Sequence, residues 1–446
     1  MAHETHDQSR RTFLGALGSV AAGVGAGGAM WGGWGGWGGL RAEAAEIGDE
    51  LRRIEGTPEQ IARDEDYWAR AATAYTVDRS LINLNNGGVS PSPSFVQDAM
   101  KRHLDFSNQC PPYTMWRVLE PQREGVRQRL ARAWGVSPDE IAITRNASES
   151  LQICQLGLDL KAGDEVLCTT QTYPRMVTTF KQRERREGIV LRQISIPTPC
   201  EDPSEIVRRF ENAITPRTKM ILCSHVINLT GQVLPVTEIT ALGRARNIPV
   251  VIDGAHALAC LDFSLADLDV DYYGTSLHKW LCAPHGTGLL YVRKHLIPGL
   301  WPMMAAADTQ DDDIRKFEEI GTHPAANALA IGEALTFHQS LGPARKFARL
   351  IHLRDTWTGE LSGLDRVVFH TSFKPGVATG LCNIQIEGID SGELNSWLWR
   401  TRRILCTVVK HDEFEGVRVS PHVYTTMEEL GRLVDALRHA HEHGIT

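Results

Sequence analysis

The chain has 446 residues, 42% hydrophobic and 23% charged, with a formal net charge of −7 at pH 7, which is typical of a globular protein with one large core or two unequal ones. The acidic balance and the lack of a basic cluster with interleaved aromatic residues argue against nucleic-acid binding and favour small-molecule chemistry. Its nine cysteines are scattered, without C-x-x-C or Cys/His ligand spacing, so the sequence predicts neither a metal site nor a regular disulfide framework.

The first 45 residues differ in composition from the rest of the chain. The motif SRRTFL at 9–14 precedes a mildly apolar, glycine-rich run, and AEA at 42–44 forms a small-x-small cleavage pattern. These features are similar to a twin-arginine export leader, and the repeat WGGWGGWGG at 31–39 indicates a disordered spacer. We therefore expect residues 1–45 to be a signal peptide with a spacer, recognised by the twin-arginine export machinery. The protein would then be periplasmic or exported, and membrane-tethered if the leader is not cleaved.

From about residue 80, strand-like and helix-like segments alternate. The segments MILCSHV at 220–226, IPVVIDGA at 248–255 and DYYGTS at 271–276 are short, mostly apolar runs that end in small or polar residues. A segment with helical spacing, TEITALGRARN, lies between the first two. Alternation of this kind predicts βαβ units and a buried parallel sheet, so the predicted fold class is α/β.

The same pattern suggests how the chain divides into domains. Residues 46–80 are charged and helix-like, which predicts an N-terminal helical arm. We expect a large domain with a mostly parallel sheet over 81–325 and a smaller C-terminal α/β domain over 326–446. The smaller domain begins with the helix-like ANALAIGEALTFHQSL and ends with the helix-like TTMEELGRLVDALRHAHEH.

Three features at the predicted strand ends point to one cofactor. Asp253 ends the strand PVVID, Lys279 follows the strand DYYGTS, and TRNASES at 144–150 is typical of a strand-to-helix turn. Asn146 can cap that helix, with Glu149 three residues on in a capping-box pattern, and the helix N-terminus would favour a phosphate. Ligands of parallel sheets bind at the carboxyl ends of strands, so these features should converge.

Lys279 taken alone could be an ordinary surface lysine with a snorkelling side chain. Its neighbours favour a different interpretation. A lysine can form an imine with an aldehyde, an aspartate can pair with a protonated ring nitrogen, and a helix N-terminus can bind a phosphate. Together these three groups indicate pyridoxal phosphate. Desolvation and nearby cations lower the pKa of an amine and make it nucleophilic, which imine formation requires.

The run from Asp253-Gly-Ala-His256 to Ser276-Leu-His278-Lys279 resembles the class V aminotransferase family of fold type I enzymes that use pyridoxal 5'-phosphate. The resemblance extends from LINLNNGGVSPSP near residue 81 to VRVSPHVYTTMEEL at 417–430. The motifs LNNGG and RVSPHVYTT are most similar to the isopenicillin N epimerase-like branch of the family, which also contains cysteine desulfurases. The resemblance implies the fold type I transferase fold and an amino-acid substrate.

The resemblance also implies catalytic roles. Lys279 would form the internal aldimine and then move the Cα proton, while Asp253 would keep the pyridine nitrogen protonated. His256 and Asn228 match positions that hydrogen-bond the phenolic oxygen of the cofactor. Arg418 would bind the α-carboxylate of the substrate in a bidentate pair.

Further residues are assigned to the cofactor by the same resemblance. Tyr173 falls where the family stacks an aromatic ring on the cofactor. Thr322 in EIGTHP matches a residue that reaches the phosphate of the neighbouring subunit, which implies a homodimer. The remaining residues would contact the phosphate; they are Ala147, Ser148, Ser276 and His278.

Each assignment has a simpler alternative. Asn228 and Tyr173 could be ordinary turn residues, and His256 could be a hydrogen-bonded structural histidine. Thr322 could be a helix cap and Arg418 a member of a surface ion pair. The glycines of GTGLLYV carry no phosphate signal, because a hairpin turn explains them.

The reaction is less constrained than the cofactor, which permits transamination, racemisation or carbon–sulfur cleavage. Desulfurases need a thiol on a mobile loop shortly before the carboxylate-binding arginine. Cys406 lies instead in the apolar run RRILCTVV, where a buried, inert thiol is expected, and KHDEFEG contains no cysteine. We therefore rank epimerase, lyase or transaminase chemistry above desulfurase chemistry. A pyridoxal-phosphate-binding protein without turnover is the non-enzymatic alternative, and the intact residue set argues against it.

Overall fold

The computed structural model describes residues 46–445. The export leader and spacer predicted over 1–45 lie outside these residues, so they stay predictions. Within the described part of the chain, no helix is both long and apolar enough to cross a membrane.

The strands are mostly short and buried. In chain order they are β1 (Ile82–Asn83), β2 (Ile141–Thr144), β3 (Glu165–Thr169), β4 (Val190–Ile194), β5 (Thr218–Ser224), β6 (Val250–Asp253), β7 (Tyr272–Ser276), β8 (Gly288–Val292), β9 (Val367–Phe369), β10 (Cys382–Ile386), β11 (Ile404–Leu405), β12 (Thr407–Lys410) and β13 (Glu415–Val419).

Helices separate most of these strands, and residues 46–53 are also helical. The helices are α1 (Pro58–Ala62), α2 (Glu65–Ala72), α3 (Ser94–Ser107), α4 (Glu120–Ala133), α5 (Ala147–Gly157), α6 (Pro174–Glu187), α7 (Pro203–Ala213), α8 (Val236–Arg244), α9 (Leu265–Leu268), α10 (Ala325–Leu341), α11 (Pro343–Gly359), α12 (Ser391–Arg402) and α13 (Met427–His443). A π-helical stretch, Thr114–Leu119, leads into α4.

Seven strands form the large sheet in the order β2-β8-β7-β6-β5-β3-β4. The strands β4, β3, β5, β6 and β7 are parallel, while β8 runs antiparallel to both of its neighbours. Because two reversals restore the direction, β2 points the same way as β7. The carboxyl ends of β2, β5, β6 and β7 therefore lie at one edge of the sheet. The predicted α/β fold with a mostly parallel sheet is confirmed.

Burial on both faces explains why these strands have continuous apolar runs rather than an alternating pattern. Every residue of β6 and β7 is buried, and side chains such as Val251 pack in one core with Leu151 and Ile153 of α5. Gly274 in β7 allows the close approach of α5, because a Cβ there would lie 2.9 Å from the Ser150 side chain. The packing of α5 on the sheet fixes the direction of its N-terminus.

A smaller antiparallel sheet, in the order β12-β13-β10-β9, lies in the C-terminal part of the chain. Its core includes Trp357 of α11, Ile384 of β10 and Leu433 of α13. The strand β1 pairs with β11, and Ile82 also packs in this core. The N-terminal segment therefore packs against the C-terminal part of the chain before the chain enters the large sheet. The predicted domain boundaries themselves stay predictions.

The N-terminal arm packs on α11. Arg349 of α11 is buried, and its guanidinium donates to the Ala62 carbonyl at 2.9 Å and forms an ion pair with Glu65. The same guanidinium lies over the ring of buried Trp68, with 5.5 Å between its carbon and the ring centroid. These contacts hold α1 and α2 of the arm on α11.

Candidate active site

A cavity of about 670 Å³ opens at the carboxyl edge of the large sheet. Side chains from β6, β7 and the start of α5 line one side, and β13 of the C-terminal sheet lines the other. Ten of the eleven predicted site residues line this cavity; they are Ala147, Ser148, Tyr173, Asn228, Asp253, His256, Ser276, His278, Lys279 and Arg418. The structure thus brings together residues that are separated by up to 271 positions in the chain.

Lys279, Asp253 and His256 form the centre of the cavity. Asp253 is the last residue of β6, and one of its carboxylate oxygens accepts a hydrogen bond from the Ala255 amide at 3.0 Å. Lys279 lies just beyond β7, and its Nζ is 3.1 Å from Nε2 of His256. The other ring nitrogen of His256 is buried without a partner among the described residues.

Burial changes the protonation of all three groups, because a poorly solvated site disfavours the charged form. It lowers the pKa of Lys279 to about 8, a shift that Asp253 opposes and Arg418 reinforces. Burial, with the Lys279 and Arg418 charges, also holds the pKa of His256 well below its usual range. The pKa of Asp253 is raised by burial, while the Ala255 hydrogen bond and Lys279 oppose that rise. The site therefore contains a neutral imidazole and an unusually acidic ammonium group.

The N-terminus of α5 faces the same cavity. Asn146 caps the helix, since its side chain accepts from the Glu149 amide at 2.9 Å. The Ala147 amide donates to the Ser276 hydroxyl at 2.9 Å, which joins the helix start to the end of β7. The predicted capping box is half correct, because the Glu149 carboxylate accepts from the Arg145 amide rather than from that of Asn146.

The hairpin explanation for the glycines of GTGLLYV is wrong for Gly288. This residue lies inside β8, opposite Ser276, and a Cβ on it would be 2.7 Å from backbone atoms of Asn146. Only glycine lets β8 approach the cap of α5 so closely. The Thr287 carbonyl beside it accepts from Nδ1 of His278 at 3.0 Å, which fixes the orientation of that ring.

Arg418 is buried, with 6% of its surface exposed, and has no carboxylate partner among the described residues, so the surface ion-pair alternative is wrong. Its guanidinium donates to the Asn228 carbonyl at 3.0 Å and to Oδ1 of Asn85 at 2.7 Å. Burial lowers its pKa to about 10, and its Nε has no partner in the described chain. An incompletely paired, buried cation of this kind is suited to an anionic ligand.

Thr322 does not lie with the other predicted site residues. It is exposed and lines a second cavity of about 480 Å³, together with Arg123, Arg127, Glu318 and His323. Because the resemblance assigns Thr322 to the site of a neighbouring subunit, a single chain does not test that role.

Several cavity residues were missed from the sequence. Asn85 belongs to the LNNGG motif, which was used only to assign a branch of the family, yet it orients Arg418. Thr407 of β12 and Arg175 in the first turn of α6 also line the cavity. Neither has a motif or spacing that connects it to Lys279, so no sequence signal identified them.

Most of the described chain matches one known family. The sequence profile of the Aminotransferase class-V family matches residues 82–433. Isopenicillin N epimerase of Streptomyces clavuligerus is 31% identical over 395 residues, which cover 83% of this chain and 97% of that protein. The chain belongs to the class V aminotransferase family. The epimerase of Amycolatopsis lactamdurans is likewise 31% identical, over 83% of this chain and 98% of that protein.

Other class V aminotransferase relatives catalyse sulfur chemistry according to their names. A cysteine desulfurase of Haloferax volcanii is 25% identical, over 81% of this chain and 90% of that protein. A solved structure of a cystine C–S lyase with its product cysteine persulfide has a TM-score of 0.72 at 24% identity, over 80% of this chain and 97% of that chain. This likeness confirms the fold type I architecture. The predicted family is confirmed by the profile match and by the 31% identity to the epimerases.

As a member of the class V aminotransferase family, the protein is an enzyme that uses pyridoxal phosphate. The cavity fits that cofactor in the chemistry of its polar groups. Lys279 supplies an amine with a lowered pKa, Asp253 a buried carboxylate, and the N-terminus of α5 supplies amide donors. We expect Lys279 to bind the aldehyde carbon, Asp253 the ring nitrogen, and Ala147, Ser148 and Ser276 the phosphate.

The thiol expected of a desulfurase is not found in this cavity. Cys406 lies between β11 and β12 and is 5% exposed, and burial raises the pKa of its thiol to about 12. The hairpin loop between β12 and β13 contains His411, Asp412, Glu413 and Phe414 and no cysteine. A thiol with such a high pKa is a poor nucleophile, as the sequence predicted for Cys406.

Proposed function

We propose that this protein removes and returns the proton at Cα of an α-amino acid, in epimerase-type or transaminase-type chemistry. The observation that carries the proposal is the presence of the Lys279 amine and the Arg418 guanidinium in one cavity, whose lining residues within 46–445 include no cysteine. The 31% identity to an isopenicillin N epimerase, over nearly its whole length, supports the epimerase form. Carbon–sulfur cleavage at a persulfide-forming thiol is disfavoured by the buried position of Cys406.

In this proposal Arg418 orients the substrate. Its guanidinium is already held by Asn85 and Asn228, so little rotamer entropy is lost when it binds a carboxylate. With the α-carboxylate fixed on β13, the Cα–H bond is presented toward the side of the cavity that contains Lys279. Burial strengthens this charge-assisted pair relative to one in water.

Lys279 acts as the proton acceptor and donor at Cα. The bound cofactor supplies an electron sink that stabilises negative charge at Cα. With a pKa of about 8, the Lys279 amine can take the Cα proton near neutral pH and give it back. His256, 3.1 Å from Nζ, holds the amine in place as a neutral hydrogen-bond partner.

Exchange of the Cα proton tests this proposal directly. A panel of L-amino acids is incubated with the holoenzyme in D₂O, and proton NMR follows loss of the Cα–H signal while chiral chromatography follows the D-isomer. We expect exchange with at least one amino acid, and its loss in Lys279→Ala. The matched control is Lys181→Ala, an exposed lysine of α6 outside the cavity.

The products distinguish the possible reactions. Accumulation of the D-isomer supports epimerisation, and an equivalent of 2-oxo acid supports transamination. The proposal is contradicted if the enzyme releases sulfide from cysteine or cystine while the amino acid recovered from the reaction carries no deuterium at Cα.

A further inference from the structure

Arg175 is a second arginine in the cavity, and the reaction at Cα does not use it. It is exposed, lies in the first turn of α6 and lines the cavity with Lys279 and Arg418. Its guanidinium has no hydrogen-bond or ion-pair partner among residues 46–445. This distinguishes it from Arg418, whose position is fixed by Asn85 and Asn228.

The charges of the cavity are unbalanced. Among the described residues that line the cavity, Asp253 is the one carboxylate. It lies at the carboxyl end of β6, where its charge acts on Lys279. Arg418 is matched by one α-carboxylate of the substrate, and the phosphate of the cofactor is matched by the N-terminus of α5. Once the Asp253 carboxylate, the α-carboxylate of the substrate and the phosphate of the cofactor have been assigned to these partners, no anion is left for Arg175.

The position of Arg175 in α6 is also unfavourable unless an anion binds nearby. The N-terminus of a helix carries a partial positive charge, so an arginine in the first turn is electrostatically disfavoured. No acidic residue lies in that turn, and the N-cap residue Tyr173 makes no side-chain capping hydrogen bond. Pro174 has no amide hydrogen, and the Met176 and Val177 amides both donate to the Tyr173 carbonyl. The Arg175 guanidinium, with no acidic residue in its own turn, is therefore suited to an anionic ligand such as a carboxylate.

We propose that Arg175 binds a second carboxylate on the substrate side chain, so that the enzyme acts on α-amino acids with an acidic side chain. This inference rests on the proposed Cα chemistry and adds the substrate class. Arg418 binds the α-carboxylate, Lys279 acts at Cα, and Arg175 selects the distal acid at the mouth of the cavity. Arg175 is thus a specificity-determining residue, and amino acids with a neutral side chain lack its contact.

Isosteric substrate pairs test this assignment. The kcat/KM for Cα–H exchange is measured with glutamate and glutamine, and with aspartate and asparagine, in the wild-type holoenzyme and in Arg175→Gln. We expect the wild type to prefer the acidic member of at least one pair by roughly tenfold or more, as a charge-assisted hydrogen bond allows. Arg175→Gln should remove that preference through a higher KM for the acid.

Two further variants separate a specific contact from a general effect. Arg175→Lys keeps the charge and should restore part of the preference. Arg185→Gln removes an exposed arginine of the same helix that does not line the cavity, and should leave the preference at the wild-type value.

The outcomes also separate this inference from the proposed function. If no amino acid exchanges its Cα proton, the proposed function is wrong. If glutamine and asparagine exchange as fast as glutamate and aspartate in the wild type, the Cα chemistry stands and the role of Arg175 is wrong. A preference for acids that survives in Arg175→Gln likewise overturns the inference.

Discussion

Lys279 shows how the cavity changes the chemistry of a single side chain. Burial lowers the pKa of its ammonium from 10.5 to about 8, although Asp253 opposes the change. At pH 7.4 this raises the neutral fraction of the amine from about 0.1% to about 20%. The same burial that would make an isolated lysine unfavourable therefore produces a usable nucleophile and base.

The pH dependence of covalent cofactor binding tests this value. We predict that the apoprotein captures pyridoxal phosphate faster as pH rises, and that the rate levels off above about pH 8, because only the neutral amine attacks the aldehyde. Stopped-flow absorbance measures the rate at each pH. In Arg418→Gln the plateau should begin at higher pH, since a cation that lowers the Lys279 pKa has been removed. A wild-type rate that rises without a plateau to pH 10 would contradict the assignment.

At the scale of elements, the site expected to bind the phosphate depends on how closely β8 and α5 approach. Asn146 supplies the cap and Ser276 the hydroxyl that joins the helix to β7. Gly288 makes the arrangement possible, because a side chain at that position would contact the Asn146 backbone. Gly288, which has no side chain that could contact the phosphate, therefore helps to determine where the phosphate is expected to bind.

Gly288→Ala is the matching prediction. Its Cβ would lie 2.7 Å from the Asn146 backbone, so the helix start or the strand must move. We expect cofactor affinity to fall by about tenfold and apoprotein stability to fall by about 1–3 kcal/mol, the usual cost of overpacking. Equilibrium dialysis and chemical denaturation measure the two effects. Gly299→Ala, which has nothing within 4 Å of its Cβ, is the control and should change neither quantity.

At the scale of the whole molecule, the homodimer stays a prediction, as do twin-arginine export and a periplasmic location. Thr322 is the residue through which the dimer would affect chemistry. It lies outside the cavity of its own chain, in a second cavity whose walls include the buried ion pair between Arg127 and Glu318. That ion pair anchors Glu318, four residues before Thr322.

A mixed dimer tests whether Thr322 serves the partner subunit. Subunits carrying Lys279→Ala are combined with subunits carrying Thr322→Val, using two affinity tags. In the mixed dimer, the single intact Lys279 is paired with an intact Thr322 from the other subunit. We predict wild-type cofactor affinity at that site and weakened affinity in the Thr322→Val homodimer. Light scattering that shows a cofactor-loaded monomer, or a mixed dimer as weak as the homodimer, would exclude the role.

Local patterns were sufficient to predict the fold class and the chemical identity of the centre. Continuous apolar runs that alternate with helical segments require a parallel sheet buried on both faces, and polar residues after such strands collect at one edge. Asp253, Lys279 and the cap at Asn146 follow directly from this rule. The inert character of Cys406 was also predicted, because an apolar strand buries its thiol.

Contacts between distant segments could not be predicted in the same way. Asn85 reaches Arg418 because Asn85 forms a parallel bridge with Ser420, two residues after Arg418. Gly288 matters because β8 lies beside the start of α5. Neither contact has a local sequence signal. The sequence by itself thus determined which side chains end the strands, since side-chain periodicity is a local property of the backbone. Only the tertiary structure decided which of them share a cavity, how burial shifts their pKa values and that Arg175 is left without an anion, because these depend on the three-dimensional packing of segments far apart in the chain.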